Sequence, residues 1–285
     1  MLGYGAKPAP RRMAKTCLPV GGWPCHLLIM NDSTETATRN IKLVIAYNGA
    51  AYHGWQRQVD GLATVQQAVE DVAARVMGHR VVLHGAGRTD AGVHAEGQVA
   101  NFHTPNLAIP LRGMRRAINA RLPGDIAIRS AALAGEDFHA SRSATGKTYR
   151  YRIYVAPAKP VSLYRQVYHY PFHPLDVGVM QDAAGRLVGA HDFRGFAAAG
   201  DQRENSVRTI FRCEAAEWGD EIHVTVQGDG FLYNMVRNIV GTLVEIARGH
   251  FPPERIDLIL STRNRADAGP TAPPDGLSLV CVHYD

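Results

Sequence analysis

The chain has 285 residues, 46% of them hydrophobic and 20% charged, enough for one large domain or two small ones around a substantial core. No run of about 18 apolar residues occurs, so a membrane span is not expected. The net charge of +5 excludes little: Lys7, Arg11, Arg12 and Lys15 put +4 into the first 30 residues, leaving +1 for the rest, so any RNA footprint must come from clustering.

Residues 1 to 38 show neither helical nor strand period and read as a poorly ordered extension. Cys25 to Met30 is too short for a signal-peptide core, and a cytoplasmic location is expected. Ile41 to Tyr47 is a strand closed by Asn48-Gly49. Thr64 with Gln67 forms a capping box. After it, Val65, Ala68, Val69, Val72, Ala73, Val76 and Met77 mark one helical face that Gly78 ends. Val81 to His84 is a short strand entering a glycine loop, and Gln98 to His103 a strand leaving it. A helix after Pro110 carries Arg112, Arg115, Arg116 and Arg121, and Ile126 to Leu133 is again strand-like.

From Lys147 to Val155 the chain alternates, with Tyr149, Tyr151, Ile153 and Val155 on one face and Arg150, Arg152 and Tyr154 on the other. A helix near 175 to 189 and strands near 209 to 217 and 221 to 228 follow. The spacing predicts a long helix over 231 to 248, a short one after Pro253, and a final strand from Leu277 to Tyr284. This order fits α+β architecture, two α/β halves (39 to 145 and 146 to 285) with mainly antiparallel sheets, better than a doubly wound parallel fold. The four cysteines, at 17, 25, 213 and 281, form no C-x-x-C pair and read as reduced, buried small hydrophobes.

The chemistry-bearing candidate is the loop Gly85-Ala86-Gly87-Arg88-Thr89-Asp90-Ala91-Gly92. Its glycines let the backbone approach a ligand. No helix follows and no G-K-[ST] is present, which argues against a nucleotide phosphate cradle. On local evidence the loop is either a tight turn whose Asp caps amides or an active site. His84, His94 and His103 lack ligand spacing, so no metal is expected. By residue type alone, Tyr149 belongs to a core face. Arg237, about 140° from Leu232 on a helix, belongs to a solvated one.

Gly87-Arg88-Thr89-Asp90-Ala91-Gly92-Val93-His94-Ala95 resembles the signature loop of the TruA family of tRNA pseudouridine synthases. The resemblance extends over residues 41 to 285. It takes in Tyr52-His53-Gly54-Trp55-Gln56, Asp137-Phe138-His139-Ala140 with Lys147-Thr148-Tyr149-Arg150-Tyr151, and His191-Asp192-Phe193 with Phe196. Gly230-Phe231-Leu232-Tyr233-Asn234-Met235-Val236-Arg237 and Ala272-Pro273-Pro274-Asp275-Gly276-Leu277 complete it. Ser141 stands where the pattern usually has arginine, with Arg142 next to it.

The resemblance implies the pseudouridine synthase fold with its active-site cleft between two related halves. It implies isomerisation of uridine in the anticodon stem-loop of tRNA, at positions 38 to 40, by a homodimer without cofactor or metal. Asp90 becomes the catalytic carboxylate, open to attack on uracil C6, attack on ribose C1′ or glycal formation. Tyr149 becomes a cleft residue against the base, Arg237 the partner of Asp90, and Arg88 a contact to the flipped base or a phosphate. Arg112, Arg115, Arg116, Arg150 and Arg152 are candidate phosphate contacts. A noncatalytic tRNA-binding module or chaperone on the same fold is the alternative, and a histidine-based metal hydrolase a third reading.

Overall fold

The computed structural model describes residues 38–58, 61–198, 200 and 204–285; the segment read as an extension lies, but for residue 38, outside them. The first half runs β1 (Arg39–Tyr47), α1 (Val65–Met77), β2 (His84–Gly85), β3 (His94–Thr104), α2 (Leu111–Asn119) and β4 (Ile126–Ala134). The second runs β5 (Gly146–Tyr154), β6 (Tyr168–His169), α3 (Val177–Gly185), β7 (Gly189–Asp192), β8 (Val207–Trp218), β9 (Glu221–Gly228), α4 (Met235–Ala247), α5 (Arg255–Thr262) and β10 (Leu277–His283).

The strands join in one sheet in the order β4-β1-β3-β10-β5-β9-β8-β7, with β2 on β3 and β6 on β5. Its main-path pairings are antiparallel except where β10 lies parallel to β3, through Ser278 opposite His94 and Leu279 opposite Ala95. The α+β, mainly antiparallel class expected from the sequence is the one observed, and β10 merges the strands of both halves into a continuous sheet.

Period-2 patterning explains the layering. In β1, Ile41, Leu43, Ile45 and Tyr47 are buried while Lys42, Val44 and Ala46 are half-buried; β9 repeats this with Ile222, Val224 and Val226. One sheet face is therefore fully covered and the other only partly. Helices α1 and α2 pack together, with α2 on β4, while α3 packs on β8 and on α4. The Thr64 hydroxyl accepts from Gln67 N, and Gly78 closes α1 in the left-handed conformation (φ 78°), as the sequence predicts.

Three local expectations need correction. The helix predicted from 231 begins only at Met235, because Asn234 is left-handed (φ 59°) and no α-helix can propagate through it. The strand predicted over Val81 to His84 shrinks to His84–Gly85, where the ladder with β3 forms. Cys213 is buried, which pushes its thiol up to about 12, but Cys281 is exposed. An irregularity between Leu279 and Cys281 in the pairing with β5 shifts the strand's facing there. Cys17 and Cys25 lie outside the described residues.

Glycine permits the closest approach in the fold. A Cβ on Gly241 in α4 would sit 1.7 Å from the Pro270 carbonyl oxygen, so the chain leading into β10 lies directly on the helix backbone. Gly241→Ala is expected to lower stability by about 3 kcal/mol, read as a fall in the urea midpoint with an unchanged m-value.

Candidate active site

The loop between β2 and β3 is pinned from several sides. From the segment before α1, Trp55 N donates to Thr89 O at 3.1 Å, and Gly92 N donates to Tyr52 O at 3.2 Å. A Cβ on Gly54 (φ 88°) would lie 2.6 Å from Thr89 O, so only glycine allows that contact without strain. From the sheet, the Tyr47 hydroxyl meets the Thr89 hydroxyl at 2.8 Å, and Gln98, fully buried, donates to Gly87 O at 2.8 Å. Pro274 packs against Gly92 from the entry to β10. The loop is thus a rigid platform that presents Asp90.

Asp90 reaches into a cleft of about 1010 Å³, and Arg88, Tyr149 and Arg237 line the same cleft. All four residues singled out from the sequence therefore come together. Arg237 Nη1 stands 3.5 Å from Asp90 Oδ2, with the two side chains 16% and 25% exposed. Burial raises the Asp90 carboxyl above its ordinary value, and the Arg237 guanidinium pulls it partly back. Arg237 is itself held by Ala272 O, 2.8 Å from Nε, and by Asn234 Oδ1, 3.1 Å from Nη1.

Tyr149 is buried on the covered face of β5 and still borders the cleft. The core and cleft readings of this residue thus both describe it. Its ring meets Phe231 edge-on at 5.1 Å, and burial, then Tyr47 and Asp90, raise its hydroxyl pKa. It remains a neutral phenol near pH 7. Arg88 is exposed at the rim.

Sequence reasoning left Lys147 without a role, yet its ammonium lies where a Gly87 Cβ would meet it at 2.9 Å, inside the cleft. It precedes Tyr149 by two residues, so strand alternation could have found it. Phe231 to Asn234, taken from periodicity as helix, instead form cleft wall. Ser141 also lines the cleft, and Arg142 beside it is exposed.

The arginines proposed as phosphate contacts divide. Arg112 and Arg116 are exposed on α2. Arg115 donates to Arg129 O at 2.8 Å, and Arg150 stands 3.6 Å from Glu96. Arg152 is spent: Nε and Nη2 engage both Glu221 carboxylate oxygens at 2.7 and 2.6 Å, because the β5–β9 register puts that acid within reach of its fork. His94 is buried, with Gly49 N donating to its Nδ1 at 3.0 Å and Asp275 O 3.1 Å from its Nε2.

Comparison with known proteins decides the relationship. The family model described as tRNA pseudouridine synthase matches residues 43–141 and 183–285. The tRNA pseudouridine synthase A of Syntrophotalea carbinolica is 46% identical over 244 residues, covering 86% of this chain and 96% of its own length. This chain belongs to the TruA family of tRNA pseudouridine synthases. Enzymes of the same name from Chlamydia trachomatis serovar L2b (42% identical, 87% of this chain and 92% of theirs) and Acinetobacter baumannii ATCC 17978 (43%, 84% and 90%) are similar to it to much the same extent. The matched family model leaves out residues 142–182, which include β5 with Lys147 and Tyr149.

Since Arg237 is the charge that lowers the Asp90 carboxyl, Arg237→Met is expected to raise that pKa further. A 13C titration of the Asp90 carboxyl in both proteins measures this; coincident curves would show the ion pair to be electrostatically inert.

Proposed function

We propose that this enzyme isomerises uridine to pseudouridine at positions 38 to 40 of the tRNA anticodon stem-loop, with Asp90 as its catalytic residue. The observation that carries the reading is the convergence of Asp90, Arg237 and Tyr149 on one cleft from three separate segments of the chain. Breaking the N1–C1′ bond and joining C5 to C1′ is a net isomerisation, so it consumes no oxidant, reductant or energy source. It needs a nucleophile or anionic stabiliser beside the ribose or uracil, and a carboxylate supplies either.

In this reading the target uridine leaves its stack and enters the cleft. Arg237 keeps Asp90 ionised and aimed despite its burial. Tyr149, held as a neutral phenol, offers a ring for the uracil to pack on and a hydrogen-bond donor; phenolate chemistry is disfavoured by the raised pKa. Arg88, exposed at the rim, follows the base or grips a flanking phosphate. Arg112 and Arg116, exposed on α2, contact the backbone farther out. The halves 39–145 and 146–285 each contribute one side of the cleft. The enzyme works in the cytoplasm as a homodimer with each tRNA touching both subunits.

C5-tritiated tRNA incubated with the purified enzyme is expected to release tritium, and Asp90→Ala to reduce release to background. Pseudouridine mapping in tRNA from cells lacking the protein is expected to show losses at positions 38 to 40. Unchanged release by Asp90→Ala removes the catalytic assignment, and tight tRNA binding without any product favours a noncatalytic module.

A further inference from the structure

Asn234 occupies the N-cap of α4, where an asparagine ordinarily turns its side-chain oxygen back to accept from the helix's first free N–H groups. Here it makes no such bond. It is one of three non-glycine residues with positive φ among the described residues, and its side-chain oxygen is aimed at the Arg237 guanidinium, 3.1 Å from Nη1. The same Nη1 faces Asp90 at 3.5 Å. Asn234 therefore combines an uncommon backbone conformation with an unused capping bond, and what these yield is an acceptor on Arg237.

The backbone supports the same geometry. Ala272 O takes the Nε proton at 2.8 Å, and Ala272 N donates to Arg237 O at 3.1 Å. The guanidinium is thus fixed at Nε by a carbonyl and at Nη1 by the Asn234 amide, both neutral. A neutral acceptor holds the cation without cancelling its charge, which stays available to the carboxylate. Held this way, Arg237 does not depend on Asp90 for its position and need not close fully onto it.

We infer that Asn234 is a positioning residue for the reaction: it sets the Arg237 guanidinium at the distance from Asp90 that keeps the carboxylate ionised yet free to react. The inference rests on Asp90 being the catalytic group. Among the described residues, the other titratable groups around Asp90 are Tyr149 and Lys147 on β5, Tyr47 on β1, His53 from the segment before α1, Arg88 of its own loop, and Tyr233 beside Asn234. The Asn234 side-chain oxygen engages Arg237 Nη1, the same nitrogen that faces Asp90, so altering it acts on Asp90 through Arg237.

Two variants separate this role from a structural one. Asn234→Gly keeps the left-handed backbone and removes only the side chain. Asn234→Asp keeps size and shape but puts an anion on the guanidinium, in competition with Asp90. Tritium release from C5-labelled tRNA, followed across pH with full-length enzyme, gives kcat, KM and the acid limb of the profile. Melting temperatures near wild type are expected for both, together with a KM for tRNA changed by less than about twofold. For Asn234→Gly, kcat is expected to fall roughly tenfold, as for loss of a hydrogen bond to a charged group. The acid limb is expected to move to higher pH in Asn234→Gly and further in Asn234→Asp, since a weakened or diverted guanidinium leaves the Asp90 carboxyl higher.

Acid limbs that superpose on wild type in both variants overturn the inference, whether or not kcat falls, because a merely structural residue lowers activity without moving the titration. If Asn234→Gly fails to fold, Asn234→Asp decides alone on the same criterion. Asp90→Ala in the same assay separates the two levels: an active Asp90→Ala enzyme removes the catalytic reading, whereas an inactive one with unshifted Asn234 variants removes only this inference.

Discussion

The insertion of the C-terminal strand into the middle of the sheet is the constraint on which the rest depends. β10 lies between β3 and β5, and its pairing with β3 joins the strands of the two halves. On its way in, the segment Ala272 to Gly276 meets several of the elements that build the site. Ala272 O holds Arg237, Pro274 packs on Gly92 of the loop that carries Asp90, and Asp275 O meets His94 at the start of β3. The Tyr151 hydroxyl, from the strand that carries Tyr149, donates to Pro273 O at 2.7 Å. Glycine is needed where this segment crosses other backbone: a side chain on Gly276 would run into the Tyr151 ring, one on Gly241 into Pro270.

The electrostatics follow from that clamp. A carboxylate withdrawn from water is costly, and pairing it tightly with arginine would satisfy it at the expense of its reactivity. The site takes an intermediate arrangement. Arg237 is bound mainly by neutral oxygens and stands 3.5 Å from Asp90, so the carboxyl is raised by burial and only partly lowered by charge. Rigidity comes from the second layer, where the Tyr47–Thr89 and Gln98–Gly87 hydrogen bonds fix the loop from the sheet side and leave Asp90 facing the cleft.

Much of this was legible in the residues. The strands β1, β5 and β9 and the helix α1 announce themselves by period, because one-sided burial imposes period 2 on strands and 3.6 on helices. Asp90, Tyr149, Arg88 and Arg237 were named from motif segments and line one cleft. The errors share a cause. The apolar stripe that marks α4 continues smoothly through Leu232, so periodicity cannot register the left-handed Asn234 that ends the helix. Cys281 and Arg152 looked respectively buried and free until a strand irregularity and a cross-strand acid decided otherwise.

By itself, then, the sequence determined the class of fold, the identity of most elements and the residue types of the site, since these depend on local pattern and on side-chain chemistry. Tertiary structure alone decided that β10 would join the halves in parallel with β3, that Arg237 would face Asp90 across 147 positions of chain, and that Asn234 would give up its cap to hold it. Those outcomes depend on distances between segments remote in sequence, which no local period encodes.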